Sequence, residues 1–224
     1  MIAAIVTDIE GTTSSLSFVK EVLFPYARKH MADFIAQQQQ DAAVKQQLDE
    51  VKKITGKALS ISEITARLHK WIDQDKKVTP LKALQGLLWE KGYRDGDFKG
   101  HVYQDAYDQM TQWQKDGIKL YVYSSGSVYA QKLLFRYSDF GDMTALFAGY
   151  FDTTCGHKQE TQSYLNIIGE IKQPAGQILF LSDIEEELNA AQQAGMKTRW
   201  LVRDAEVDTI ALHQQVKDFN EIKL

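Results

Sequence analysis

The chain has 224 residues, 25% of them charged and 44% hydrophobic, and a formal net charge of -4. Those values support one substantial globular core with room for a second small lobe, and argue against general nucleic-acid binding and against an anionic membrane surface as partner. No apolar run approaches a membrane span, and the leading run Ile2–Val6 is too short and lacks the basic flanks of a signal peptide. With one cysteine, Cys155, an intramolecular disulfide is impossible, and a reduced, cytoplasmic protein is expected.

Ile2-Ala-Ala-Ile-Val6 reads as a fully buried strand that runs into Asp8-Ile-Glu10-Gly11-Thr12-Thr13. Residues i and i+2 share one face of a strand, so Asp8 and Glu10 would point together at its carboxyl end, unless the chain has already begun to turn. That edge is where open α/β sheets bind ligands. Two acids converging there suit a hard cation with oxygen ligands, or a nucleophile paired with a proton donor. The plainer alternative is a strand exit built from turn-forming Asp, Gly and Thr.

From Phe18 to about Lys115 the pattern is helical. Val44, Leu48, Val51 and Ile54 recur at helical spacing, as do Ile61, Ile64, Leu68, Trp71 and Ile72. Leu81, Leu84, Leu87 and Leu88 continue it, with Thr79-Pro80 as the start of that helix and Gly92 as its end. Tyr103, Ala106, Tyr107, Met110 and Trp113 form another stripe, closed by Gly117. These aromatic stripes are read as core, and the polar run Gln37–Gln40 as a solvated helix face.

At Ile118 the period changes. Ile118–Tyr123 is a strand, Ser124-Ser125-Gly126-Ser127 a small polar turn, and Val128–Tyr137 a helix. Strand, turn and helix in that order present backbone N–H groups and a helix N-terminus to a phosphate, although a serine N-cap alone would also place one of these serines. Phe151–Lys158 leads into a helix carrying Tyr164, Ile167, Ile168 and Ile171. Lys158, between a strand end and a helix start, could neutralise a bound phosphate as a point charge, or could be an ordinary solvated lysine. Cys155 invites a cysteine-phosphatase reading, but Thr161 stands where that chemistry needs an arginine, so Cys155 is read as a small, partly buried residue. Gln177–Ser182 is a fourth strand ending on Asp183, and Glu185, Glu186 and Glu187 fall in the first turn of the helix that follows, where one of them could support Lys158 or a metal. Gly195 ends that helix and Arg199–Val202 is a fifth strand. The five histidines show no metal-ligand spacing.

Successive strand ends thus carry Asp8 and Glu10, Ser124 and Ser125, Lys158, and Asp183. In this order they resemble the four motifs of the haloacid dehalogenase superfamily of phosphohydrolases, over the whole chain. Glu10 in place of the usual second aspartate, with Gly11-Thr12-Thr13, Tyr123–Val128, Gln131–Phe135 and Phe151–Thr154, resembles its enolase-phosphatase branch, which belongs to methionine salvage. The resemblance implies a Rossmann-like parallel sheet with helices on both faces, formed by residues 1–15 and 101–224, and an all-helical cap, residues 16–100, inserted after the first strand.

For the site, the resemblance implies an aspartyl-phosphate on Asp8 and Mg²⁺ held by Asp8, Asp183 and residue 10. Glu10 is expected in two roles, as a metal contact and as the acid–base that protonates the leaving oxygen and then activates water. Ser124, Ser125 and Lys158 are expected to bind the phosphoryl oxygens. The substrate implied is 5-(methylthio)-2,3-dioxopentyl phosphate, enolised and then dephosphorylated to an acireductone by a monomeric, cytoplasmic enzyme with no nucleic-acid or membrane partner. A phosphatase or mutase acting on another small phosphate ester would share the motifs. A haloalkanoate dehalogenase, which needs no Mg²⁺, is disfavoured by Asp183 and Gly11-Thr12. A phospholigand-binding module without catalysis is disfavoured by the presence of Asp8.

Overall fold

In the computed structural model, which describes residues 1–224, the apolar run at the start of the chain becomes the centre of a sheet. Strand β1 (Ala4–Thr7) is buried along its whole length. It pairs in parallel with β2 (Lys119–Tyr123) on one side and β4 (Ile178–Ser182) on the other. With β3 (Phe147–Phe151), β5 (Lys197–Leu201) and β6 (Gln215–Val216) it forms a six-stranded, all-parallel sheet in the order β3-β2-β1-β4-β5-β6. A strand covered on both faces has no solvated side, which explains why β1 and β4 read as continuous apolar runs without alternation. The chain first winds outward from β1 through β2 to β3, then crosses to β4 on the other side of β1. The carboxyl ends of β1 and β4 therefore flank the topological switch point, where such sheets leave a crevice.

The two faces of the sheet are both filled. Ala4, Val6, Ile178 and Phe180 pack with Tyr164, Ile167 and Ile171 of α7 (Thr161–Ile171) and with Leu188 and Ala191 of α8 (Glu185–Gln193). Ile5, Leu120, Val122, Leu179 and Leu181, of opposite parity along their strands, are equally buried. On the α5 side, α5 (Gln104–Lys115) packs against β2, and Trp113 stacks on Phe219. Helix α6 (Val128–Arg136) follows β2 and packs on β3. β6 was not foreseen, because two residues are too few to show any period.

By internal packing the chain divides into two compact units, Met1–Leu16 with Gly100–Leu224, and Ser17–Lys99. The second unit is wholly helical. A π-helical segment (Phe18–Leu23) leads into α1 (Phe24–Gln38), followed by α2 (Ala42–Thr55), α3 (Ile61–Asp73) and α4 (Thr79–Asp95). Asp41 caps α2 by accepting from the amides of Ala43 and Val44, and Ser60 with Glu63 closes a capping box on α3. No helix is long and apolar enough to cross a membrane.

One expected boundary was wrong. Gly92 does not end α4, which continues to Asp95 and stops at Gly96, where φ is +78°. Gly92 is there for packing: a Cβ at this position would lie 2.6 Å from Phe98 Cε1 and 2.9 Å from Tyr26 Cζ. Tyr26 and Tyr93 both pack on the Phe98 ring, at centroid distances of 4.9 and 4.6 Å. Helix propensity alone favours Gly92→Ala by about 1 kcal/mol, whereas overpacking of a filled cluster costs about 1–3 kcal/mol. Gly92→Ala is therefore expected to lower the urea midpoint; a rise would show that the two rings move aside at no cost.

Candidate active site

β1 stops at Thr7, so Asp8 and Glu10 stand in a turn rather than on a strand face, and the shared-face argument for the pair does not apply. The turn is tightly wound. The Ile9 carbonyl accepts from the amides of Thr12, Thr13 and Ser14 at 3.2, 3.0 and 2.8 Å, and the Thr13 hydroxyl donates to the Asp8 carbonyl at 3.1 Å. Gly11 takes φ +77°, which an L side chain rarely adopts. The Asp8 amide donates to the Leu181 carbonyl at 2.9 Å, so Asp8 is still tied to β4 although the strand has ended. Thr12, Thr13 and Ser14 are fully buried, which leaves the loop no solvent into which to relax.

Lys158 is only 7% exposed, against 4% for Asp8 and 8% for Glu187, so its charge must be met inside the protein. Its Nζ donates to Asp8 Oδ1 and lies 2.6 Å from Glu187 Oε2. Burial by itself would push the Lys158 ammonium down; the charges of Asp8 and Glu187, and the hydrogen bonds to them, outweigh it and hold this lysine above its ordinary value. Burial pushes the Glu187 carboxyl up, and Lys158 opposes this only in part because it is shared with Asp8. The backbone around Lys158 is held as firmly as its side chain. Tyr164 Oη donates to the Lys158 carbonyl at 2.7 Å, Ser163 Oγ to the His157 carbonyl at 2.6 Å and Tyr123 Oη to the Gly156 carbonyl at 3.0 Å. Ser182, the last residue of β4, donates its hydroxyl to Glu187 Oε2 at 2.9 Å.

Asp183 follows β4 at the other side of the crevice. Its carboxyl is pushed up to about 6, first by burial and then by the charge of Asp8, with Glu10 adding and Lys158 opposing. Its Oδ1 is buried and has no hydrogen-bond partner. Its Oδ2 lies so near Gly11 that a Cβ there would stand 2.2 Å from it. A buried carboxylate oxygen without a donor, close to a second carboxylate, suits a hard cation with oxygen ligands. No cluster of three or more His, Cys, Asp or Glu side chains surrounds one point. A cation here would thus draw on two carboxylates and complete its shell from backbone oxygen and water.

The phosphate-loop candidates occupy the end of β2, next to β1. Ser124 is buried, and its Oγ accepts from the Gly126 amide at 3.1 Å; Ser125 is exposed. Ser127 is the N-cap of α6, accepting from the Ala130 amide at 3.3 Å. Of the residues singled out in the sequence, Asp8 and Lys158 meet directly, Asp183 feels the charge of Asp8 and Glu10, and Ser124 is tied by its hydroxyl to the Gly126 amide and by its own amide to the Phe151 carbonyl of β3. Glu187 is the member of the Glu185–Glu187 run that reaches Lys158; nothing in the run itself distinguishes it, and the one-sided burial of α8 does. Arg203 and Asp105 were missed, although Arg203 stands just past the carboxyl end of β5, where the other site residues stand on their strands.

The electrostatics carry a stability consequence. A carboxyl raised in the folded state binds protons that the unfolded chain has already lost, so between about pH 4 and pH 6 the Asp183 contribution to stability falls as pH rises. In EDTA-treated protein Asp183→Asn is expected to raise Tm at about pH 7.5 and to leave it nearly unchanged at about pH 4. Excess Mg²⁺ should narrow the difference at the higher pH. Thermal unfolding at both pH values decides it; a variant less stable than the parent at pH 7.5 without metal would contradict the burial and charge repulsion described above.

The chain matches the model of the haloacid dehalogenase-like hydrolases over residues 2–195. It is 54% identical over 224 residues to enolase-phosphatase E1 of Methylococcus capsulatus, covering 100% of this chain and 98% of that one. It is 52% identical over 231 residues to enolase-phosphatase E1 of Serratia proteamaculans, with the same 100% and 98% coverage. The crystal structure of the UTR4 protein of Saccharomyces cerevisiae is 35% identical and superposes with a TM-score of 0.84, covering 99% of this chain and 100% of that chain. CbbY of Rhodobacter sphaeroides, solved in complex with phosphate, shares the fold at a TM-score of 0.62 and 17% identity, over 99% of this chain and 96% of that chain. Placed beside the geometry at the β1–β4 switch point, these matches establish that the chain belongs to the haloacid dehalogenase-like hydrolases, in their enolase-phosphatase E1 branch.

Proposed function

We propose that the site converts 5-(methylthio)-2,3-dioxopentyl phosphate to the acireductone 1,2-dihydroxy-5-(methylthio)pent-1-en-3-one and phosphate. The chain is a phosphoric monoester hydrolase of the enolase-phosphatase kind, since relatives of that name span it from end to end. The observation that carries the chemical reading is the buried Lys158 ammonium in contact with the Asp8 carboxylate at the switch point. A carboxylate so placed is held in one orientation, as a nucleophile must be.

In this reading an Asp8 carboxylate oxygen attacks phosphorus, forming the aspartyl-phosphate as the bond to the substrate oxygen breaks. Glu10 gives its proton to that leaving oxygen. It then takes a proton from the water that attacks phosphorus, which releases phosphate and restores Asp8. Lys158 donates to the phosphoryl oxygens as charge builds on them, and Ser124 and Ser125 position those oxygens. The Asp8 and Asp183 carboxylates and the Glu10 carbonyl would hold Mg²⁺, which when bound would supply charge compensation between carboxylate and phosphate dianion and a Lewis acid for the diketone oxygens. The helical unit Ser17–Lys99 enters the chain directly after the catalytic turn, and in this reading it serves as the cap that excludes water. In this reading the enzyme is a cytoplasmic monomer acting on a small molecule: the single cysteine suits a reducing compartment, and the net charge of -4 argues against nucleic-acid and anionic-membrane partners.

Losing the buried cation that meets the phosphate should cost on the order of 2–4 kcal/mol of transition-state stabilisation. Lys158→Ala is thus expected to lower kcat/KM by roughly a hundredfold or more. Steady-state phosphate release checks it, and a change within about threefold would leave this lysine without a catalytic part. Asp8→Asn removes the nucleophile and keeps one oxygen for the cation. With excess Mg²⁺, and with bound metal measured, it is expected to accumulate an enol phosphate, seen as a conjugated ultraviolet chromophore without phosphate release. Metal bound with no chromophore would mean that enolisation needs Asp8 itself or follows dephosphorylation. A panel of sugar phosphates run beside the diketone ester separates this reading from a phosphatase or mutase of other specificity.

A further inference from the structure

The catalytic turn has a second attachment, remote from Lys158. Arg203, two residues beyond the end of β5, reaches the carbonyl of Thr12 with both Nε, at 2.9 Å, and Nη2, at 2.7 Å. The same guanidinium donates from Nη1 and Nη2 to the two carboxylate oxygens of Asp105, at 3.0 Å each. Asp105 in turn accepts from the Phe219 amide at 2.8 Å. The Arg203 and Asp105 side chains are 10% and 16% exposed, so the bidentate pair works largely out of water. The guanidinium carbon stands 3.8 Å over the Tyr103 ring, and the Tyr103 amide donates to the Thr13 carbonyl at 2.9 Å. Consecutive carbonyls of the turn are therefore held by one assembly.

We propose that Arg203, braced by Asp105, is a positioning residue for the turn that carries Asp8 and Glu10, acting through the Thr12 carbonyl. The buried hydroxyl of Thr12 has no partner, so the side chain gives the turn no hydrogen bond here and the carbonyl carries the attachment. Lysine cannot replace this arginine. Only a planar fork meets a carbonyl and both oxygens of a carboxylate at once, whereas an ammonium is a point donor. The consequence for the reaction rests on the reading of Asp8 and Glu10 given above. Glu10 must meet the leaving oxygen in the transition state, and small misplacements of such a group are costly. Ser124, Ser125 and Lys158, which bind the phosphoryl oxygens in that reading, stand on other segments of the chain, so the loss should fall more on kcat than on KM.

The amides of Thr12, Thr13 and Ser14 all donate to the Ile9 carbonyl, so their hydrogen exchange reports opening of the turn without any substrate. In Arg203→Lys their exchange is expected to quicken about tenfold or more while the amides of Leu179–Leu181 in β4 keep the parent's rate. On the diketone ester with Mg²⁺, kcat should fall roughly tenfold or more with KM within threefold. Unchanged exchange in the turn would overturn the proposal, as would equal quickening in the turn and in β4, or a quickened turn with kcat within twofold of the parent. Should Arg203→Lys not fold, Asp105→Asn, which leaves Arg203 in place and removes its charged brace, is judged by the same outcomes. If the parent protein does not turn over the ester, it is the proposed reaction that falls, and exchange alone decides whether Arg203 holds the turn.

Discussion

One ammonium, Lys158 Nζ, faces two carboxylates in the interior of this protein, and the site is organised around that imbalance. Taking an ion pair out of water costs several kcal/mol per ion, and only good geometry with further hydrogen bonds offsets it. The supporting bonds are all present: Ser182 to Glu187, Tyr164 to the Lys158 carbonyl, Ser163 to the His157 carbonyl. One cation cannot satisfy both acids, and Asp183 adds a third carboxylate nearby with an oxygen that has no donor. The excess negative charge at the head of β1 and β4 disfavours the fold by itself and favours binding of a cation. It is a local conflict of the kind that a functional site retains and a core does not.

The fold keeps this conflict in place by bringing separate parts of the chain to one edge. β1 delivers Asp8, the segment between β3 and α7 delivers Lys158, and β4 with the first turn of α8 delivers Asp183, Ser182 and Glu187. Because every strand is parallel, all their carboxyl ends lie on the same edge, and the switch of strand order between β1 and β4 opens the crevice there. Gly11 is a steric condition of the arrangement. Its φ of +77° turns the chain sharply after Glu10, and its lack of a side chain admits the Asp183 carboxylate. Arg203 and Tyr103 secure the far side of the same turn. The turn that carries Asp8 and Glu10 is thus held at one end by the ladder bond of Asp8 to β4 and at the other through its carbonyls.

Much of this was legible in the residues alone. Buried parallel strands are continuous apolar runs because both faces are covered, so β1, β2 and β4 stand out, and the residues that follow them are seen at once to be polar. The helical stripes of α2 and α3 are likewise local, since 3.6-residue periodicity involves residues only a few positions apart. Gly92 shows where local reading misleads. A glycine near the end of an apolar stripe signals a C-cap, yet here it makes room for Phe98 and Tyr26, which lie in other parts of the helical unit.

The sequence by itself determined the fold class, the strand ends at which polar residues gather, and the motif order that marks the family. Each of these is a property of neighbouring residues or of their sequence along the chain. Only the tertiary structure decided that Asp8 and Glu10 leave the strand before they could share its face, that Glu187 rather than Glu185 or Glu186 meets Lys158, and that Arg203 and Asp105 hold the Thr12 carbonyl. Those contacts join residues up to 191 positions apart, and they depend on which strands become neighbours and how deeply their ends are buried. A charged side chain reads the same in sequence whether it is solvated or paired; burial is what makes the pairing obligatory, and burial is a property of the whole fold.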